Sequence, residues 1–424
     1  MSGATRMHRM ARRLLLIVAM SPSAASAATD QDRLVFHAET ASGEAVASQL
    51  ADLPFNPASV VKMATSLWAL ESLGPDHRYS TVVGTTGSWD RAAGRIAGDL
   101  VVIGGGDPDF HNENAMLVAR ELNRIGVRRI DGDLVVVPPF WLGWENGSEE
   151  PRDPVQRNLD MAYRLLRSLE RGRWKAPQLR AWRAMCARRG WQDEPEPGIV
   201  IRGGVRVVEA AEVADAVPLV VHRSNPLHVI LRRFNVYSNN DIVRIADGLG
   251  GAEGLAAFLR SRLGAGPDLL DLTTSSGQLS NRITARLAVR LVREFLGVAE
   301  RAGLRPEELL PVAGCDPGPI DDMFPHLAAG PQQRTVVGKT GTLITTDGGV
   351  VAFAGTFRSR ARGPIIFCVA APRSGYHSQR WRGAEESWLL DLMDELGGAD
   401  VRACGGELPR PDTMAEVARP ADVE

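Results

Sequence analysis

The chain has 424 residues, 44% hydrophobic and 24% charged, with 51 acidic residues against 49 basic ones. That length allows two or three domains around cores of ordinary size, which excludes wholesale disorder and any need for a disulfide scaffold. A formal net charge of −2 argues against nucleic acid as a partner of the whole chain.

The first 27 residues carry Arg6, Arg9, Arg12 and Arg13 and no acid, then an apolar run Leu14–Met20, then Ala25-Ser26-Ala27. This is the layout of a secretory signal peptide, cleaved near Ala27-Ala28. No other segment offers the ~20 apolar residues of a transmembrane anchor. Leu34–Glu39 and Ala45–Leu50 flank Ser42-Gly43 and predict a hairpin. Asn56-Pro57-Ala58 introduces a helix through Leu73, closed by Gly74-Pro75. Between residues 85 and 138, short strands (Asp99–Ile103, Gly132–Val137) and glycine turns surround one helix near Glu113–Ile125, the texture of a separate small domain.

Residues 157–189 hold ten Arg or Lys against Asp160 and Glu170, with Trp174 and Trp182 interleaved. Charge runs usually serve solubility, so this stretch reads as one or two solvated helices; the alternative is a surface for an anionic partner such as cell-wall polymer. A Pro/Gly-rich joint at Glu194–Gly198 precedes further strands. Helices are expected at Pro226–Arg233, Asp241–Leu249, Ala252–Leu263 and Thr284–Phe295. Strands at Gln333–Lys339, Gly349–Phe357 and Pro364–Ala371 lead to a last helix, Ala384–Leu396, and the tail after Cys404 is expected to be disordered. Cys186, Cys315, Cys368 and Cys404 have no C-x-x-C spacing, which argues against a zinc or redox site. Export permits a disulfide, and the spacing leaves its pairing open.

Of the 49 basic residues only Lys62, Lys175 and Lys339 are lysine. An amine can shed its proton in a protein and a guanidinium cannot, so each lysine is a candidate for chemistry closed to arginine. Ser59-Val60-Val61-Lys62 starts the first helix, and a spacing of three puts both side chains on one face. The serine needs a base to become a nucleophile. Lysine can be that base only if burial and nearby cations lower its pKa from about 10.4, and a second lysine in the same cleft would do part of this. Lys339-Thr340-Gly341-Thr342 follows apolar Val336-Val337 and reads as a strand, with Gly341 leaving room for a substrate backbone and the hydroxyls and amine binding a carboxylate. A phosphate loop ending in Gly338-Lys339-Thr340 would need glycine where Gln333 stands. Ser238-Asn239-Asn240 lies between the two lysine motifs; its serine can relay a proton and Asn240 can bond an amide. S-x-x-K, S-x-N and K-T-G in this order form one acyl-transfer set, and two of the three lysines fill its two lysine positions. Lys175 belongs to no motif.

With these motifs in place the sequence resembles the low-molecular-mass class C penicillin-binding proteins, the D-alanyl-D-alanine carboxypeptidase/endopeptidase family. Pro57 through Thr65, Leu73-Gly74-Pro75, Gly98-Asp99-Leu100, Gly105-Gly106-Asp107-Pro108, Ser224-Asn225-Pro226-Leu227, Asn235 through Asn240, Ser276 through Ser280 and Val337 through Leu343 carry the likeness, over most of residues 32–372. It implies an α/β (α+β) transpeptidase/β-lactamase-like sandwich, a mostly antiparallel sheet flanked by helices with a smaller β-rich domain inserted. The expected division is signal peptide 1–27, main domain 28–84 plus 216–404, inserted domain 85–215 and tail 405–424. The resemblance implies a periplasmic serine DD-peptidase acting on peptidoglycan stem peptides and acylated by β-lactams, with no metal or cofactor. In that scheme Ser59 is the nucleophile, Lys62 the base and Ser238 a proton relay, while Asn240, Lys339, Thr340, Gly341 and Thr342 bind substrate. The rivals are a β-lactamase on the same fold and a non-catalytic cell-wall-binding relative.

The lysines supply the first test. Lys62→Arg should slow acylation by labelled penicillin about a hundredfold or more, the size of a general-base contribution, whereas Lys175→Arg should leave the rate unchanged.

Overall fold

The computed structural model describes residues 30–145 and 153–422. The expected signal segment, residues 1–27, lies outside the described residues.

Strands β1 (Val35–Thr40) and β2 (Ala45–Gln49) pair antiparallel as the hairpin, turning at Gly43 with φ +89°. A 3-10 turn at Ala58–Val60 then feeds α1 (Val61–Leu73). Every residue from Val61 to Leu70 of α1 is buried, so only the last turn of the helix meets solvent. A helix apolar nearly all round belongs inside the molecule, and it takes Lys62 with it, 0% exposed.

The chain next runs through β3 (Ser80–Thr85), β4 (Trp89–Asp90), β5 (Arg95–Ile96), β6 (Leu100–Ile103), α2 (Asn112–Arg124), β7 (Arg129–Ile130) and β8 (Leu134–Val137). Helices α3 (Pro154–Leu169) and α4 (Ala176–Arg189) follow, then β9 (Val200–Ile201), β10 (Val205–Val207) and β11 (Val217–Arg223). The basic stretch is thus helical. Trp174 and Trp182 are not on its surface; they pack with Met185 against Met116 and Leu117 of α2, leaving Arg180 and Arg183 exposed.

The chain returns through α5 (Leu227–Val236), α6 (Val243–Asp247), α7 (Gly251–Leu263), α8 (Ala285–Arg301), α9 (Pro319–Met323) and α10 (Pro325–Ala329) to β12 (Val336–Leu343), β13 (Val350–Ser359) and β14 (Gly363–Pro372). It ends with α11 (Ser378–Glu395) and β15 (Glu416–Ala418). The main sheet has the order β12-β13-β14-β1-β2 and is antiparallel throughout. A mixed sheet, β10-β8-β6-β3-β11-β15, and a small one, β4-β5-β7-β9, lie in the excursion. Apart from β15, their strands fall between Ser80 and Arg223.

Alternation along β13 explains how helices cover both faces of the main sheet. Ala352 and Ala354 face the cluster that holds α1 and α8, where small side chains admit close helix packing. Val351, Phe353 and Phe357 face the opposite cluster, with Trp381 and Trp388 of α11. This is the antiparallel, helix-flanked α/β sandwich the sequence implied. Among the described residues no helix is long and apolar enough to cross a membrane.

The tail corrects an expectation, because residues 405–422 are built into the fold. β15 pairs with β11 through Val221↔Ala418. Arginines tie down the intervening carbonyls: Arg233 donates to Pro409 O at 2.6 Å and Arg232 to Gly406 O at 2.9 Å. Asp412, 1% exposed, accepts from Arg188 at 2.9 Å. Polar backbone bonded this way supports order without much apolar sequence, which is why composition alone misread it.

Cys315 and Cys404 form a disulfide across 89 residues, anchoring the tail beside the segment that precedes β12, while Cys186 and Cys368 are free. Non-reducing peptide mapping should recover the 315–404 link, and Cys404→Ser should lower stability by about 2–4 kcal/mol in chemical denaturation.

Candidate active site

Ser59 sits in the 3-10 turn, one residue after Ala58, whose φ of +48° is in the left-handed region. That conformation costs a non-glycine residue about 1–2 kcal/mol, and a set of hydrogen bonds holds it. Asn56 accepts from the Ala58 N–H at 3.0 Å and donates to Leu279 O and to the Asp347 carboxylate, both at 2.7 Å. Ser280 donates to the same carboxylate at 2.9 Å. Asn56 and Asp347 lie outside the three motifs, and sequence reasoning assigned them no site role.

Lys62 follows one turn later. Its Nζ lies 2.8 Å from Ser59 Oγ, 2.7 Å from Asn240 Oδ1 and 2.7 Å from Ser276 O. Two of these partners are carbonyl oxygens, which only accept. A neutral amine meets them with its two hydrogens and turns its lone pair to the serine hydroxyl. Burial, and then the charge of Lys339, hold Lys62 well below the usual lysine range. The Ser276 carbonyl is placed by its neighbour: Thr65 of α1 donates to Ser275 O at 2.5 Å.

Ser238 also has a left-handed backbone, φ +52°. Its Oγ lies 2.8 Å from Lys339 Nζ, which donates to Thr340 O at 2.9 Å. Lys339 is 1% exposed; burial, and then the charge of Arg382, lower it to about 7. Asn240, expected to hold a peptide, turns its amide oxygen to Lys62.

The β12 strand lies at the edge of the main sheet. Gly341, expected to make room for a substrate backbone, makes room for the protein: a Cβ there would lie 2.5 Å from Pro57 O and 2.9 Å from Ser59 N. Gly277 does the same from the other side, since a Cβ would lie 1.9 Å from Ala58 O. The Gly338 N–H donates to Pro311 O across the strand's outer edge. By the period of two, Thr342 N–H points to that same edge, beside the serine turn. Thr340 is buried and Thr342 half-buried. A residue that sequence reasoning missed completes the strand: Arg382 of α11 donates to Gly341 O and to Thr342 Oγ1. One arginine in so arginine-rich a chain carries no local signal. Lys175 is exposed at the start of α4 and takes no part.

The structure therefore brings Ser59, Lys62 and Asn240 into one hydrogen-bonded set and Ser238 and Lys339 into a second, with β12 against the serine turn. The sequence profile of the D-Ala-D-Ala carboxypeptidase 3 (S13) family matches residues 24–148 and 192–382, passing over both basic helices. A carboxypeptidase DacB of Mycolicibacterium smegmatis is 27% identical over 360 residues, covering 77% of this chain and 73% of that protein. Among solved structures, a predatory endopeptidase of Bdellovibrio bacteriovorus in complex with an immunity protein aligns with TM-score 0.74 at 22% identity, covering 90% of this chain and 98% of that one. Penicillin binding protein 4 (dacB) of Haemophilus influenzae aligns with TM-score 0.57 at 17% identity, covering 85% and 96%. At these identities the two structures show a shared fold.

The coupled lysines give a pH prediction. The Lys339 charge lowers Lys62, so Lys339→Met should let the Lys62 pKa rise. The ascending limb of the acylation rate against pH should then move to higher pH. An unmoved limb, or one shifted to lower pH, would show that the two amines are not coupled.

Proposed function

The chain belongs to the D-Ala-D-Ala carboxypeptidase 3 (S13) family, and on that premise we propose the residues by which it works as a serine DD-peptidase on peptidoglycan. Ser59 gives its proton to neutral Lys62 and attacks the carbonyl of the penultimate D-Ala. The N–H groups of Ser59 and Thr342 receive the oxyanion, a contribution worth about 3–4 kcal/mol per donor in other enzymes. Ser238 relays a proton to the leaving amine, and water then releases the acyl group. Asn240 steers Lys62 through its oxygen and holds the peptide. Lys339, with Thr340 and Thr342, receives the terminal carboxylate, whose negative charge favours the ammonium form of Lys339. The leader-like layout of residues 1–27 and a cell-wall substrate both support a periplasmic reaction.

The observation that carries this reading is the Lys62 amine, held by two carbonyl oxygens with its remaining site on the Ser59 hydroxyl. Labelled penicillin should form a stoichiometric adduct with the wild type and none with Ser59→Ala, and digestion of muropeptides should release D-alanine or open D-Ala cross-links. Rapid multiple turnover of penicillin would assign the site to β-lactamase chemistry instead. Absence of any serine-dependent adduct would leave a cell-wall-binding role.

A further inference from the structure

Arg382 has no part in the steps above, yet it is the best-buried cation beside the β12 strand after the two lysines. It is 3% exposed and reaches from α11 to the face of β12 opposite Lys339, since residues 339 and 342 alternate across the strand. Its Nη1 donates to Ala352 O at 3.0 Å and to Glu385 at 2.7 Å. Its Nη2 donates to Gly341 O and, at 2.5 Å, to Thr342 Oγ1.

A guanidinium has hydrogens to give and no lone pair to offer, so at this contact the Thr342 oxygen must accept. The hydroxyl hydrogen is thereby turned elsewhere. It points toward the Met323 sulfur, 4.0 Å away, a weak acceptor that a carboxylate would displace. With a cation behind its oxygen, the hydroxyl is polarised as a donor, and such a donor is matched to an anion rather than to an N–H. We infer that Arg382 is a positioning residue that fixes the polarity of Thr342 and so makes the cleft select a free carboxylate over an amide at the substrate's C-terminus.

The counter-ion fits this role. Glu385 is 0% exposed, and burial raises its pKa to about 7, while one of its oxygens has no hydrogen-bond partner. Glu385 takes the Nη1 side of the guanidinium, which leaves Nη2 for Gly341 O and the Thr342 hydroxyl. Sequence gives no hint of this, because Arg382 stands 40 residues beyond Thr342 on a different element.

The inference rests on the DD-peptidase reading, and its test separates the two. An N-acylated D-Ala-D-Ala tripeptide and its C-terminal amide are compared in the wild type, Arg382→Lys, and the Arg382→Gln/Glu385→Gln double variant, which removes both buried charges together. The wild type should prefer the acid. The double variant should lose at least about tenfold in kcat/KM on the acid, the size of one hydrogen bond to a charged group, chiefly through KM. It should lose less than about threefold on the amide, and Arg382→Lys should recover part of the preference. Equal losses on both peptides, or an unchanged preference, would overturn the assignment and leave Arg382 a structural residue. The same comparison of binding by calorimetry in a Ser59→Ala background decides the matter even if neither peptide is cleaved, an outcome that would refute the proposed reaction alone. There, a preference for the acid that disappears with the Arg382→Gln/Glu385→Gln change supports the inference, and one that persists refutes it.

Discussion

The structure turns on a lysine amine held out of water. Lys62 is carried into the interior by a helix with almost no solvent face, and its amine is met by two carbonyls and a serine hydroxyl. Burying an ammonium is expensive unless it is well paired, and the ordinary response of a buried lysine is to lose its proton more easily. Here that response is what a base for Ser59 needs. The surrounding elements serve to keep the geometry: Asn56 and Asp347 brace the serine turn, Thr65 sets the 275–277 loop, and Asn235 bonds Ser66 at 3.0 Å to dock α5 on α1.

The β12 strand is the second organising element, because one edge strand does three jobs through its period of two. Its odd positions present Lys339 to Ser238 and bring Gly341 against the serine turn. Its even positions present the threonine hydroxyls to the opposite face, where Arg382 meets Thr342. Its outer edge carries the N–H that would complete an oxyanion hole. The glycine is thus a matter of contact between β12 and the turn, and an added methyl would push the nucleophile away from the strand.

The two smaller sheets and the basic helices stand apart from this chemistry. The family match skips residues 149–191, a stretch that includes α3 and α4, and its Trp174 and Trp182 make a local core with α2. An aromatic and basic composition that on paper resembles a binding surface is resolved by the fold into an apolar inside and a charged outside.

Much of this protein was legible as text. The strand alternation and the glycine-closed first helix are local properties, so individual strands and helices could be read from short windows, while the antiparallel sheet that joins them was implied by the family resemblance. The three motifs were legible from their order along the chain, and the scarcity of lysine left Lys62 and Lys339 with few competitors. The same bias hid Arg382, one arginine among 46, whose role exists only where α11 crosses β12. The tail was misread for a related reason: its order comes from arginines and a cysteine far away in the chain. Residue identity and spacing determined which groups could do acyl-transfer chemistry. Tertiary structure alone decided which carbonyls face Lys62, why position 341 must be glycine, and which cation stands behind Thr342, because each of these is a contact between segments that local sequence does not relate.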